Sequence, residues 1–180
     1  MKKFSRRARV ATGGVVLAAV AAGTFGTVSA NADTSAQARP AAVKPADTVT
    51  STHLSIAAAT EAAEAVLDAA KKENQRVSVA VVDRNGTTLV TLRGDGAGPQ
   101  SYDSAVRKAF TAVSWNAPTS ELAKRLETAP NLKDIPGTLF LAGAVPVTAN
   151  NAPIAGIGVA GAPSGDLDEK FARAGAAALR

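Results

Sequence analysis

Three glycines stand at the spacing G-x-G-x-x-G in Gly156-Ile157-Gly158-Val159-Ala160-Gly161, within an apolar run near the end of the chain. That spacing has two physical meanings. In the turn from a strand into a helix it lets backbone N–H groups and the helix N-terminus face a pyrophosphate. Inside a strand it marks a bulge or a close approach by another backbone. Here residues 154–160 read as strand, Ala162-Pro163-Ser164-Gly165 as the turn, and Asp166-Leu167-Asp168-Glu169 as the start of a helix. The glycines therefore sit ahead of the turn, in the wrong register for a dinucleotide, and mark a close backbone approach or a bulge.

The other end of the chain reads as a leader. Lys2, Lys3, Arg6, Arg7 and Arg9 precede an apolar stretch rich in Ala and Gly, and Ala30-Asn31-Ala32 fits a small-x-small cleavage site. Residues 1–32 are thus expected to be a secretory signal peptide. Ser5-Arg6-Arg7 points to twin-arginine export, although Arg9 interrupts the usual apolar continuation. The full chain holds 20 Lys+Arg against 15 Asp+Glu, and the leader carries five of the bases and no acid, which leaves 15 against 15. A balanced mature chain lacks the basic surface that a nucleic-acid partner requires. There is no cysteine, one methionine (Met1) and one histidine (His53). Disulfides, thiolate metal sites and bis-His or His/Met haem ligation within one chain are excluded.

Residues 33–50, rich in Ala, Pro and Thr, read as a disordered tether. The remaining 51–180 have the size of one domain. Ile56, Ala59, Ala63, Val66, Leu67 and Ala70 recur at helical spacing, giving a helix from near Ser55 to near Asn74. Two β-branched runs, 76–83 and 87–92, joined through Arg84-Asn85-Gly86, predict a hairpin. A second helix, capped by Ser101, would bury Tyr102, Val106, Ala109, Phe110 and Val113 and stop before Pro118. A short third helix follows Thr119 or Ser120. Strands are expected at 138–142, 145–149 and 154–160, and a last helix from about Asp166 to Leu179. Segregated elements in this order give an α+β domain with one antiparallel sheet of about five strands and helices packed on it.

Residues 79–86 (Val-Ala-Val-Val-Asp-Arg-Asn-Gly), 94–101, 108–115 (Lys-Ala-Phe-Thr-Ala-Val-Ser-Trp), Ile135-Pro136-Gly137-Thr138 and 156–167 closely resemble the GlcG/HbpS family across the whole mature domain. The resemblance implies a profilin-like subunit of a homo-octamer that binds haem and iron outside the cell and modulates a membrane sensor histidine kinase. Haem degradation is also implied as an accompanying activity. Two alternatives stay open: a small-molecule enzyme of the same fold, and a purely structural oligomeric module.

Candidate site residues carry two readings each. His53, just before the first helix, is by position a solvated histidine; by resemblance it takes part in iron binding. Glu61 and Glu64 share a helix face, as a solvated acidic stripe or, by resemblance, as an iron-binding E-x-x-E pair. Asp103 and Arg107 stand at i,i+4, where a surface ion pair is ordinary, and match the family's D-x-x-x-R iron motif. Thr138 suits a strand start, and by resemblance is the residue at the haem iron. A neutral hydroxyl is a weak ligand, which favours exchangeable haem over electron transfer. No serine or cysteine nucleophile motif is present.

Overall fold

The structure is a computed structural model and describes residues 40–180. The expected leader and the first part of the tether, to residue 39, lie outside the described residues. The chain divides into two units, Met1–Pro45 and Ala46–Arg180, and the second holds the sheet and helices. Residues 40–53 are exposed, with a 3₁₀ turn at Pro45–Asp47. Among the described residues no helix is long and apolar enough to cross a membrane.

The elements run α1 (Ile56–Lys72), β1 (Ser78–Asp83), β2 (Thr88–Arg93), α2 (Pro99–Trp115), α3 (Thr119–Lys124), β3 (Ala144–Ala149), β4 (Ala152–Ala160) and α4 (Gly165–Ala177). The strands form one antiparallel sheet in the order β2-β1-β4-β3. The sheet has four strands, not about five, because residues 138–143 are irregular. Several of their backbone groups bond outside the sheet. The Thr111 hydroxyl accepts from the Leu139 amide at 2.7 Å, and the Leu141 amide turns back to the Leu139 carbonyl. Gly137 (φ +79°) and Gly143 (φ +135°) bend the segment at both ends.

Both hairpin turns form as their chemistry dictates. Asp83 Oδ1 accepts from the amides of Asn85 and Thr87, each at 2.8 Å, closing the β1–β2 hairpin, and Gly86 takes φ +85°. Asn150 and Asn151 both adopt positive φ between β3 and β4, as a two-residue hairpin with the favoured twist needs.

Strand alternation sorts the core into two layers. Val79, Val81, Ala155, Ile157 and Val159 face α1 and α4, joining Ala59, Ala63, Val66 and Phe171. Ala80, Val82 and Ala160 face α2, against Ala105, Ala109 and Val113. On that second face β4 offers Gly156 and Gly158. A methyl group at either would collide with the Ala109 or Ala105 carbonyl oxygen of α2, so the helix backbone rests directly on the strand. This is the close approach that the glycine spacing anticipated.

Three cap assignments shift. α2 begins two residues ahead of Ser101, with Gly98 at the cap and Pro99 supplying the pre-set φ of a first helical residue. Ser101 lies inside, donating to the Gly98 carbonyl and meeting the Ser78 hydroxyl at 2.8 Å. Thr119 and Ser120 dock α3: Thr119 Oγ1 accepts from the Ala144 amide at 2.9 Å, and Ser120 donates its amide and hydroxyl to Glu169. The apolar residues that α2 buries are Ala105, Ala109, Ala112 and Val113, whereas Tyr102 stays 45% exposed, because the seat on β4 itself admits only small side chains.

Gly158→Ala is expected to destabilise the domain by about 3 kcal/mol, since neither backbone can retreat without shifting the whole helix. Urea unfolding followed by circular dichroism measures it, and an unchanged midpoint would show that α2 and β4 do not touch there.

Candidate functional site

The sheet separates the candidate residues into two groups. His53, Glu61 and Glu64 belong to the α1 side, and all three are exposed. His53 Nε2 lies 2.6 Å from the Ser51 hydroxyl, and Ser55 caps α1 by accepting from the Ala58 amide. Glu61 and Glu64 stand on the face of α1 turned away from Ala59, Ala63 and Val66, and neither joins an ion pair. Asp103, Arg107 and Thr138 lie on the other side of the sheet, with α2. Among the described residues no three His, Asp or Glu side chains converge as a metal centre. The six residues therefore do not form one constellation in a single chain.

The α2 group does cohere. The expected Asp103–Arg107 ion pair is not formed; the Arg107 guanidinium reaches across and donates to the Thr138 carbonyl at 2.7 Å. Two residues that had entered from separate motifs thus touch. Thr138 is 2% exposed, and its hydroxyl donates to the Ile135 carbonyl at 2.7 Å. Asp103 and Arg107 also line a groove of about 460 Å³ between α2 and edge strand β2, shared with Tyr102, Val106, Thr88 and Thr91. The α2-facing side of β2 is polar, so the helix leaves it partly uncovered. Thr91 Oγ1 is, among the described residues, the buried side-chain polar atom without a hydrogen-bond partner. Such an orphan costs about 1–3 kcal/mol, which a bound polar group would relieve.

Sequence reasoning missed a second polar cluster, buried under the opposite flank of α2. Lys108 Nζ, 2% exposed, donates to Asp168 Oδ2 at 2.8 Å and to the Val159 carbonyl at 3.0 Å. Asp168 Oδ1 accepts from the Ala162 amide, fixing the β4–α4 turn. Burial pushes the Asp168 carboxyl above the ordinary aspartate range, against the lowering pull of Lys108 and of the Ala162 and Gly161 amides. The signal was available: Lys108 falls between Ala105, Ala109 and Ala112 on the helix face that packs inward.

The family model described as haem degrading protein HbpS-like matches residues 54–177. The chain belongs to the HbpS-like family. It is 74% identical to a Streptomyces reticuli HbpS structure, covering 79% of this chain and 98% of that one, with a TM-score of 0.78. That structure is a variant in which two glutamates three positions apart are replaced by aspartate. A PduOC:heme complex matches at 26% identity, covering 71% of this chain and 95% of that one, with a TM-score of 0.65. The 15.0 kDa protein from the dhaT-dhaS intergenic region of Citrobacter freundii is 32% identical over 113 residues, spanning 60% of this chain and 80% of its own. Family and α+β architecture agree with the reading of the sequence.

Breaking the buried pair singly, by Lys108→Met or Asp168→Leu, strands one charge and is expected to cost about 3–5 kcal/mol, whereas the double variant loses far less. A double-mutant cycle by urea unfolding measures the coupling. Because the folded carboxyl has the higher pKa, its contribution is fully present below the unfolded aspartate pKa. It is lost as pH rises through the folded value. Stability referenced to the double variant should therefore fall as pH climbs through the window above about 3.9. A rise over that window would contradict the burial argument.

Proposed function

We propose that this protein binds haem and iron outside the cell, as a homo-octamer that reports haem or iron-linked redox stress to a membrane sensor histidine kinase. The observation that carries the haem part is the contact between Arg107 and Thr138 beside an open, partly polar groove. The family match and the haem complex of a relative with the same fold support it. Export by the leader at residues 1–32 is part of the same proposal.

Thr138 would meet the haem iron through its hydroxyl. That hydroxyl is buried and donates to the Ile135 carbonyl, so iron would take an oxygen lone pair once residues 135–139 swing outward. A neutral oxygen ligand binds iron weakly, which suits capture and release.

Iron itself would bind at carboxylate motifs. Glu61 and Glu64 are exposed, unpaired and neighbours on α1, and hard iron favours oxygen donors. The spacing of the two substituted glutamates in the HbpS variant is the same. His53, next to the exposed stretch before α1, and Asp103 would add donors from the same chain or a neighbouring copy.

Haemin titrated into the mature protein should give a shifted Soret band. Thr138→Ala should weaken binding about tenfold or more while leaving the fold intact, and Glu61→Gln/Glu64→Gln should lower ferric iron uptake without changing the haemin titration. Equal haemin binding by Thr138→Ala would remove Thr138 from the iron, and no Soret shift in the wild type would end the haem assignment.

A further inference from the structure

The Arg107 guanidinium is only partly used. It carries five N–H donors in a planar fork, and the Thr138 carbonyl takes one of its bonds. Its side chain is exposed, and it forms no ion pair with Asp103, the acid one turn back along α2. Four residues of helix set the two about 6 Å apart along the axis. Asp103 is itself exposed, so solvent satisfies its carboxylate without a cationic partner. The groove thus keeps a fork with spare donors at one end.

Around that fork the groove changes character. Thr88 and Thr91 of β2 bring hydroxyls, one of them the orphan Oγ1 of Thr91. Val106 and the half-exposed Tyr102 ring give apolar wall. Donors grouped at one place beside an apolar wall fit a carboxylate carried on a flat apolar body better than a free inorganic anion, which would leave the wall in water.

Resting on the haem reading above, we propose that Arg107 binds a porphyrin propionate in the groove between β2 and α2, with the Thr91 and Thr88 hydroxyls completing the carboxylate's shell. The propionate accepts from the donors of the guanidinium fork that Thr138 does not use, so carboxylate and iron are read from adjoining residues. Arg107 is then a ligand-binding residue and not an iron ligand, since a guanidinium has no lone pair to give.

The test compares haemin with its dimethyl ester, which keeps the ring and iron but cannot present carboxylates. Both are titrated by absorbance into wild type, Arg107→Gln, Arg107→Lys and Thr91→Val. Wild type should bind haemin about ten- to a hundredfold more tightly than the diester. Arg107→Gln should abolish that preference by weakening haemin alone. Arg107→Lys should restore it in part, because an ammonium supplies charge without the fork. Thr91→Val should weaken haemin by a smaller factor. Equal affinity of wild type for both porphyrins overturns the proposal without any variant, as does a loss in Arg107→Gln that is the same for both. If haemin still binds in those cases, the haem reading survives and only the propionate assignment falls; if neither porphyrin binds wild type, both fall.

Discussion

The direct seating of α2 on β4 governs the rest of the domain. With no Cβ at Gly156 or Gly158, the carbonyls of Ala105 and Ala109 come against the strand, and only alanine-sized residues fit between them. The helix is thereby fixed in rotation as well as in height. Successive helical residues diverge by about 100°, so fixing Ala105 and Ala109 inward also fixes where their neighbours go. Lys108 is driven into the interior between α2, β4 and α4, and Arg107 is left on the flank toward β2 and residues 135–139. One backbone contact therefore positions both cations.

Those two cations have opposite availability. Lys108 is enclosed and committed to Asp168 and Val159, and a side chain added at Gly143 would strike its ammonium. It ties α2 to the β4–α4 turn and has little left to offer a ligand. Arg107 spends a single bond on Thr138 and keeps the remainder of its fork at the surface. A charged group whose donors are consumed by the protein holds structure, whereas one with donors to spare beside an open groove is equipped for recognition. Adjacent positions in the sequence thus divide between the two tasks.

Much of this was legible in the sequence because it depends on local chemistry. Asn85-Gly86, Asn150-Asn151 and the G-x-G within a strand each encode a backbone conformation or a close approach, and all formed as written. Family and α+β architecture were legible from the blocks at 79–86, 108–115 and 156–167. What failed was any feature decided by distant partners. Residues 138–142 have strand-like composition, yet the Thr111 hydroxyl and two glycine bends draw them out of the sheet. Ser101, Thr119 and Ser120 are good cap residues that instead answer Ser78, Ala144 and Glu169. Asp103 and Arg107 have ideal spacing for a pair, but spacing along a helix cannot foresee a carbonyl 31 residues away.

The split of the candidate residues across the sheet constrains how they could cooperate. A four-stranded sheet with helices on both faces keeps His53, Glu61 and Glu64 on the α1 side and Asp103, Arg107 and Thr138 on the α2 side. Within one chain the buried strands β1 and β4 stand between them, and no side chain spans that thickness. A site that uses both groups must therefore join the α1 face of one copy to the α2 face of another. Such a contact matches unlike surfaces, so copies linked by it alone close only as a ring or continue as a filament, and a closed assembly needs the rotation between neighbours to come full circle. If instead the groups act separately, as proposed, carboxylates on α1 would hold iron while the α2 groove would hold the porphyrin, and each copy would carry both functions on opposite faces.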